Sequence, residues 1–143
     1  MNVAAILKGK GRTVATVTPD VTLEEVARQL AARNIGAMVI TGVDGRVVGI
    51  VSERDIIRAI AEKGAQCLEA PVSSMMTRSV VSCQESDTLE QLMATMTAGR
   101  FRHLPVVENG ALVGIVSIGD VVKHHIAEVE MEASALKGYI VAG

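Results

Sequence analysis

Aromatic side chains are almost missing from this chain: Phe101 and Tyr139 are the only two, and aromatics make up 1% of its 143 residues. A surface that stacks nucleic-acid bases has little to stack with. Charge of one sign is equally scarce. Fourteen Lys and Arg stand against sixteen Asp and Glu, a net charge of −2 with no long run of either sign. No basic patch is set out to follow a phosphate backbone, so no nucleic-acid partner is expected. No apolar stretch approaches the roughly 20 residues of a membrane span. Met1 to Leu7 lacks the length and charge layout of a signal peptide. Cys67 and Cys83 are the only cysteines. They have no metal-ligand spacing, and reduced thiols in a cytoplasmic protein are expected.

What the chain does have is aliphatic residues, with 49% hydrophobic in all. It also has a phrase written twice, Gly49-Ile-Val-Ser-Glu-Arg-Asp55 and Gly114-Ile-Val-Ser-Ile-Gly-Asp120. Such a period marks a duplicated structural unit. Upstream, Thr22-Leu23-Glu24 matches Thr88-Leu89-Glu90, and Ala37 to Thr41 aligns with His103 to Val107. The offset is 66 residues there and 65 at the phrase. One residue is missing from the turn Glu108-Asn-Gly110 relative to Gly42-Val-Asp-Gly45. Asp-Gly and Asn-Gly between apolar runs are hairpin signals.

Each copy reads as strand, helix, strand, strand, helix. Val14 to Val17 and Val80 to Cys83 are the first strands. Thr22-x-x-Glu25 and Thr88-x-x-Gln91 fit a capping box. Leu23, Val26, Ala27 and Leu30 recur at helical spacing, as do Leu89, Leu92, Met93 and Met96. The second helix begins near Asp55 or Asp120. The predicted layout is an N-terminal arm (1–13), a first repeat (14–62), a connector (63–78), a second repeat (79–127) and an acidic helical tail (128–143). A unit of roughly 50 residues buries too little surface alone, so the copies are expected to share one core.

Ser52-x-x-Asp55 and Ser117-x-x-Asp120 stand at strand-to-helix junctions. By spacing alone they are helix caps. The same geometry suits a ligand: free N–H groups and the helix dipole attract phosphate, and an Asp can accept two hydrogen bonds from a ribose diol. Two copies in register make the second reading competitive. Lys8, Lys10 and Arg12 read as a solvated glycine-rich loop, since "GKG" lacks the length and ending of a P-loop. His124-His125 lacks a third ligand at useful spacing, so no metal is expected.

These units, with "NIGAMVI" at 34–40, "RHLPVV" at 102–107, two "GIVSxxD" phrases and "SSMMT" at 73–77, resemble a tandem cystathionine β-synthase (CBS) domain pair of the small stand-alone bacterial type. The resemblance covers roughly Val14 to Ile126. It implies an α+β fold of two βαββα repeats packed as a pseudo-twofold pair, each with a small sheet and flanking helices. It also implies two inter-repeat clefts for adenosine compounds: AMP, ADP, ATP or NAD(H), with S-adenosylmethionine in some members. No cofactor is required. By this resemblance Asp55 and Asp120 hold ribose, Ser52 and Ser117 stand near ribose or phosphate, and Thr16 and Ser82 lie on the cleft-lining first strands. Ala37 and Pro105 belong to the strands at the same clefts. A homodimer is implied, with a tetramer left open.

The copies differ in basic residues. Arg54 precedes Asp55 but Gly119 precedes Asp120; Arg102 and His103 stand where the first copy has Gly36 and Ala37. Each cleft thus draws a cation from a different element, and two non-equivalent sites are expected. An enzyme would need a nucleophile–base pair, a metal cluster or paired carboxylates, and none is assignable. The expectation is a nucleotide-binding regulatory module acting on a separate protein, with a ligand-free adaptor as the alternative.

Overall fold

The computed structural model describes residues 1–142; Gly143, the end of the expected tail, lies outside the described residues. Helix α1 (Val3–Lys10) precedes a first unit made of β1 (Thr16–Val17), α2 (Leu23–Arg33), β2 (Ala37–Thr41), β3 (Val47–Ser52) and α3 (Glu53–Lys63). Two 3₁₀ turns follow, Ala65–Glu69 and Val72–Ser74. The second unit contains α4 (Leu89–Gly99), β4 (His103–Glu108), β5 (Ala111–Ser117) and α5 (Ile118–Ala142). The mixed α and β architecture expected from the repeat is the one observed.

In the first sheet β1 runs parallel to β2, and β2 and β3 form an antiparallel hairpin. β4 and β5 repeat that hairpin, and both hairpins shift register one residue after an equivalent position, Ile40 and Val106. The extended segment expected at 80–83 supplies only a single parallel bridge, Cys83 to Val106. Val81 stays exposed and faces a cleft instead.

Helix starts follow the local chemistry. Thr88 Oγ1 accepts the Gln91 N–H at 3.2 Å and Gln91 Oε1 accepts the Thr88 N–H at 2.8 Å, a complete capping box. At the first copy Thr22 Oγ1 accepts the Glu25 N–H. The return bond is not made, because the Glu25 carboxylate turns to Gln29 one helical turn on. α2 and α4 both end in a left-handed residue, Asn34 (φ 54°) and Arg100 (φ 56°), 66 residues apart.

Two cores form, not the shared one expected. The first joins Val17, Leu23, Val26, Leu30, Met38, Ile40 and Val51 to Cys67, Val72 and Met76 of the connector. The second joins Leu89, Leu92, Met96, Leu104, Val106 and Val116 to Val3, Ile6 and Leu7 of α1. The physical reason is a reciprocal exchange of lead-in segments. Met1–Leu7, ahead of the first unit, covers the second; Ala70–Met76, ahead of the second unit, covers the first. The backbone bonds match pair by pair. Leu23 N–H reaches Ala70 C=O as Leu89 N–H reaches Met1 C=O, and Val72 N–H reaches Val21 C=O as Val3 N–H reaches Asp87 C=O. Each small core is thereby closed by a borrowed segment, through Val3, Ile6 and Leu7 in one and Val72 and Met76 in the other, which answers the shortfall of surface in one unit.

The same exchange explains the glycine in each repeated phrase. A Cβ on Gly114 would lie 2.7 Å from Leu7 Cδ2, and one on Gly49 would lie 2.8 Å from Met76 Cγ. Leu7 and Met76 are equivalent residues of the two lead-in segments. Each sits over the strand at its glycine notch.

Candidate ligand-binding clefts

The Ser-x-x-Asp phrases form complete capping boxes on α3 and α5. Asp55 Oδ2 accepts the Ser52 N–H at 2.8 Å while Ser52 Oγ accepts the Asp55 N–H at 3.2 Å. Asp120 and Ser117 repeat this at 2.8 and 3.1 Å. Capping uses one oxygen of each carboxylate. Asp55 Oδ1 makes no hydrogen bond among the described residues, so this carboxylate keeps acceptor capacity beside the helix N-terminus.

Two clefts lie between the units, with volumes of about 410 and 450 Å³. They are pseudo-twofold mates. Ser79–Val81, Ile50 and Ser52 in the first correspond to Thr13–Ala15, Ile115 and Ser117 in the second. Gly36, Ala37, Ser117 and His103 line both. A Cβ on Gly36 would lie 3.3 Å from the His103 ring, so this imidazole is the partition between them.

The first cleft is lined by Arg54, Arg58, Arg100 and Arg102 together with Asp55 and Glu53. That excess of guanidinium groups suits an anionic ligand carrying a group that a carboxylate can hold. The second cleft has Lys10 and Arg33 as its cations. Lys10 Nζ lies 2.6 Å from Asp120 Oδ2 and also donates to the Ile115 carbonyl at 3.0 Å. The expected solvated loop at Lys8–Arg12 is instead helix through Lys10, because Val3, Ile6 and Leu7 bury one face of it. Arg12 turns to Glu85.

Electrostatics differ accordingly. Burial raises the proton affinity of Asp120, but the Lys10 ammonium and the Ser117 N–H outweigh it and hold the carboxyl below its usual range. Burial holds His103 below the usual imidazole value; Lys10 and Arg102 act in the same direction, against Asp120 and Glu53. Burial pushes the Cys83 thiol up to about 12, with Asp87 and Glu108 adding to it, which makes this thiol a poor nucleophile. No group of three His, Cys, Asp or Glu among the described residues is arranged to hold a metal ion. Among the described residues, no helix is long and apolar enough to cross a membrane.

Ala37, Ser52, Arg54, Asp55, Arg102, His103 and Ser117 therefore line one or both clefts. Asp120 reaches the second through Lys10. Thr16 and Ser82 are exposed outside both linings, with Ala15 and Val81 taking the cleft positions just before them. Pro105 is buried in β4, its carbonyl accepting the Cys83 N–H at 2.9 Å. Arg58 and Arg100 were not singled out from the sequence. The signal for Arg58 was its place one helical turn beyond Arg54; Arg100 depended on a left-handed cap that its residue type does not announce.

A CBS domain profile matches residues 11–62 and 72–126. Among solved structures, a CBS-domain containing protein from Agrobacterium tumefaciens is 55% identical, with TM-score 0.83 over 85% of this chain and 91% of that one. A CBS domain protein from Pyrobaculum aerophilum complexed with AMP is 32% identical, with TM-score 0.75 over 84% and 89%. A CBS domain pair in complex with methylthioadenosine and S-adenosyl-L-methionine is 25% identical, with TM-score 0.80 over 90% and 98%. The chain spans 66% of the length of one curated relative and 23% of the length of two others.

Proposed function

The chain belongs to the CBS domain family, and from that premise we propose that it is a regulatory module binding AMP, ADP, ATP or NAD(H), or S-adenosylmethionine, in its inter-repeat clefts. The observation that carries this reading is the first cleft. Asp55 offers a free carboxylate oxygen beside the α3 N-terminus, four arginines line the same cleft, and Ile50, Val80 and Val81 supply an aliphatic wall. A ribose diol on Asp55, phosphate among the arginines and adenine against the aliphatic residues would satisfy each group in kind. The AMP complex of the Pyrobaculum relative supports the ligand class.

Ligand energy passes to a partner only if it favours one arrangement of the two units or of a dimer. Binding across both units meets that condition, because the two separate cores leave the units joined through the clefts and the exchanged segments. The regulated target is a separate protein in the cytoplasm, where the buried free thiols Cys67 and Cys83 stay reduced. The module binds and signals without catalysing. Both serine hydroxyls accept helix N–H groups and neither has a side-chain base bonded to it.

The active form is a homodimer. Ile56 and Val121 are buried, but Ile57 and Val122 on the neighbouring face are exposed. Along α5 the stripe continues through Ile126, Val129, Ala133, Leu136 and Ile140, spaced alternately by three and four residues. This is a coiled-coil seam, and in a parallel pair Glu132 would face Lys137 of the other copy. Thermal denaturation with each ligand of the set tests the function: saturable stabilisation supports it. No shift with any of them, together with no binding by equilibrium dialysis, would leave the adaptor reading.

A further inference from the structure

Lys10 has no counterpart in the first cleft, and chain length is the reason. Val3–Leu7 and Val72–Met76 are equivalent at an offset of 69 residues, but Thr13 and Ser79 are equivalent at 66. Three extra residues therefore lie between Leu7 and Thr13. In the shorter copy, Thr77 pairs with Ile50 through two backbone hydrogen bonds of 2.9 and 3.0 Å. In the longer copy α1 continues to Lys10, and no such backbone pair forms at Ile115 among the described residues. The Ile115 carbonyl takes the Lys10 ammonium instead, and that ammonium is also the ion partner of Asp120. Asp120 Oδ2 thus has two donors where Asp55 Oδ2 has one.

We propose that Lys10 sets the ligand preference of the second cleft, admitting only adenosine compounds that bring an anionic group for its ammonium. The inference rests on reading the clefts as adenosine sites. Lys10 and the Ser117 N–H both lie on Asp120 Oδ2, so a ribose diol that engages both carboxylate oxygens must displace Lys10 from Oδ2. A neutral nucleoside brings no anion for that ammonium, whose side chain is 34% exposed, so the ion pair is exchanged for hydration alone. A phosphate gives the flexible lysine stem a new anion to turn to. The first cleft imposes no such exchange, because none of its arginines is paired with Asp55. The two clefts therefore differ in kind: the first takes nucleosides and nucleotides, the second takes nucleotides alone.

Titration calorimetry of the full chain with adenosine and with AMP tests this. The wild type is expected to bind one adenosine, lost in Asp55→Ala, and two AMP. Lys10→Met, which keeps the aliphatic stem, is expected to bind a second adenosine at least roughly tenfold tighter than the wild type does. Lys10→Arg is expected to behave as the wild type. If Lys10→Met fails to fold, Lys10→Gln takes its place. Two equivalent adenosine sites in the wild type, a single AMP site in the wild type, or a Lys10→Met protein that still takes one adenosine overturns the role of Lys10. In those cases AMP binding that is sensitive to Asp55→Ala leaves the adenosine reading standing. If adenosine, AMP, ADP, ATP, NAD(H) and S-adenosylmethionine all fail to bind any of these proteins, the adenosine reading falls, and the role of Lys10 with it.

Discussion

Lys10 Nζ sits 2.6 Å from Asp120 Oδ2, while the equivalent carboxylate of the first unit, Asp55, has no ion-pair partner among the described residues. The duplicated units thus carry one capping geometry in two electrostatic settings. The clefts are expected to respond separately to mutation. Asp55→Ala should weaken binding in the first cleft alone, and Asp120→Ala in the second alone, each by roughly ten- to a hundredfold, the worth of hydrogen bonds to a charged carboxylate. Calorimetric stoichiometry at fixed ligand checks it; unchanged binding in the double variant would remove ribose from these residues.

Replacing Ser52 by Ala removes the side-chain acceptor for the Asp55 N–H and should cost about 1 kcal/mol in urea denaturation. The Ser117 variant should match it. A loss near zero in both would mean that the boxes contribute nothing to the fold, and that ligand contacts alone account for these serines.

Gly49 and Gly114 are notches for Met76 and Leu7, so Ala at either site forces overlap. Gly114→Ala and Gly49→Ala are each expected to lose about 1–3 kcal/mol, since the added Cβ overlaps Leu7 or Met76 below ordinary contact distance. Chemical denaturation of the two variants measures both losses directly.

The pH response separates two groups. His103 has its folded proton affinity lowered by burial, so the unfolded chain binds more protons between that value and the ordinary imidazole value of 6.5. Stability should therefore fall as pH drops below about 6.5, and His103→Gln should flatten that part of the curve. Asp120, lowered in the folded state, stabilises above its ordinary value of 3.8, and that contribution is lost only as pH falls through its lower folded value. A phosphate near His103 favours the imidazolium, so AMP affinity should rise modestly from pH 8 to pH 6. Calorimetry in two buffers of different ionisation enthalpy would detect the proton taken up.

The seam on α5 gives a prediction about assembly. Leu136→Glu with Ile140→Glu should shift the dimer toward monomer in sedimentation while leaving both cores intact, since neither residue is buried. A wild-type monomer at high micromolar concentration would contradict the dimer.

Much of this was legible because duplication lets one copy check the other. The hairpins, the α2 and α4 starts and the two Ser-x-x-Asp junctions follow from local turn and capping chemistry, which depends on a few adjacent residues. The lead-in exchange was not legible. Met1–Leu7 and Ala70–Met76 share only Val3 with Val72 and small or apolar character elsewhere, and each packs on the opposite unit. Lys10 looked like a loop cation because its two flanking glycines hide a helix that tertiary burial of Ile6 and Leu7 supports. The partition role of His103 likewise needed both units in place.

The most direct test of the central claim is a calorimetric titration of ligand-stripped protein with AMP, run beside Asp55→Ala. Saturable binding that loses one site per chain in the variant is the result expected of an adenosine-binding pair with its first cleft at Asp55. Absence of saturable binding in the wild type by AMP and then by ADP, ATP, NAD(H) and S-adenosylmethionine, or full retention of every site in a folded Asp55→Ala protein, would contradict it.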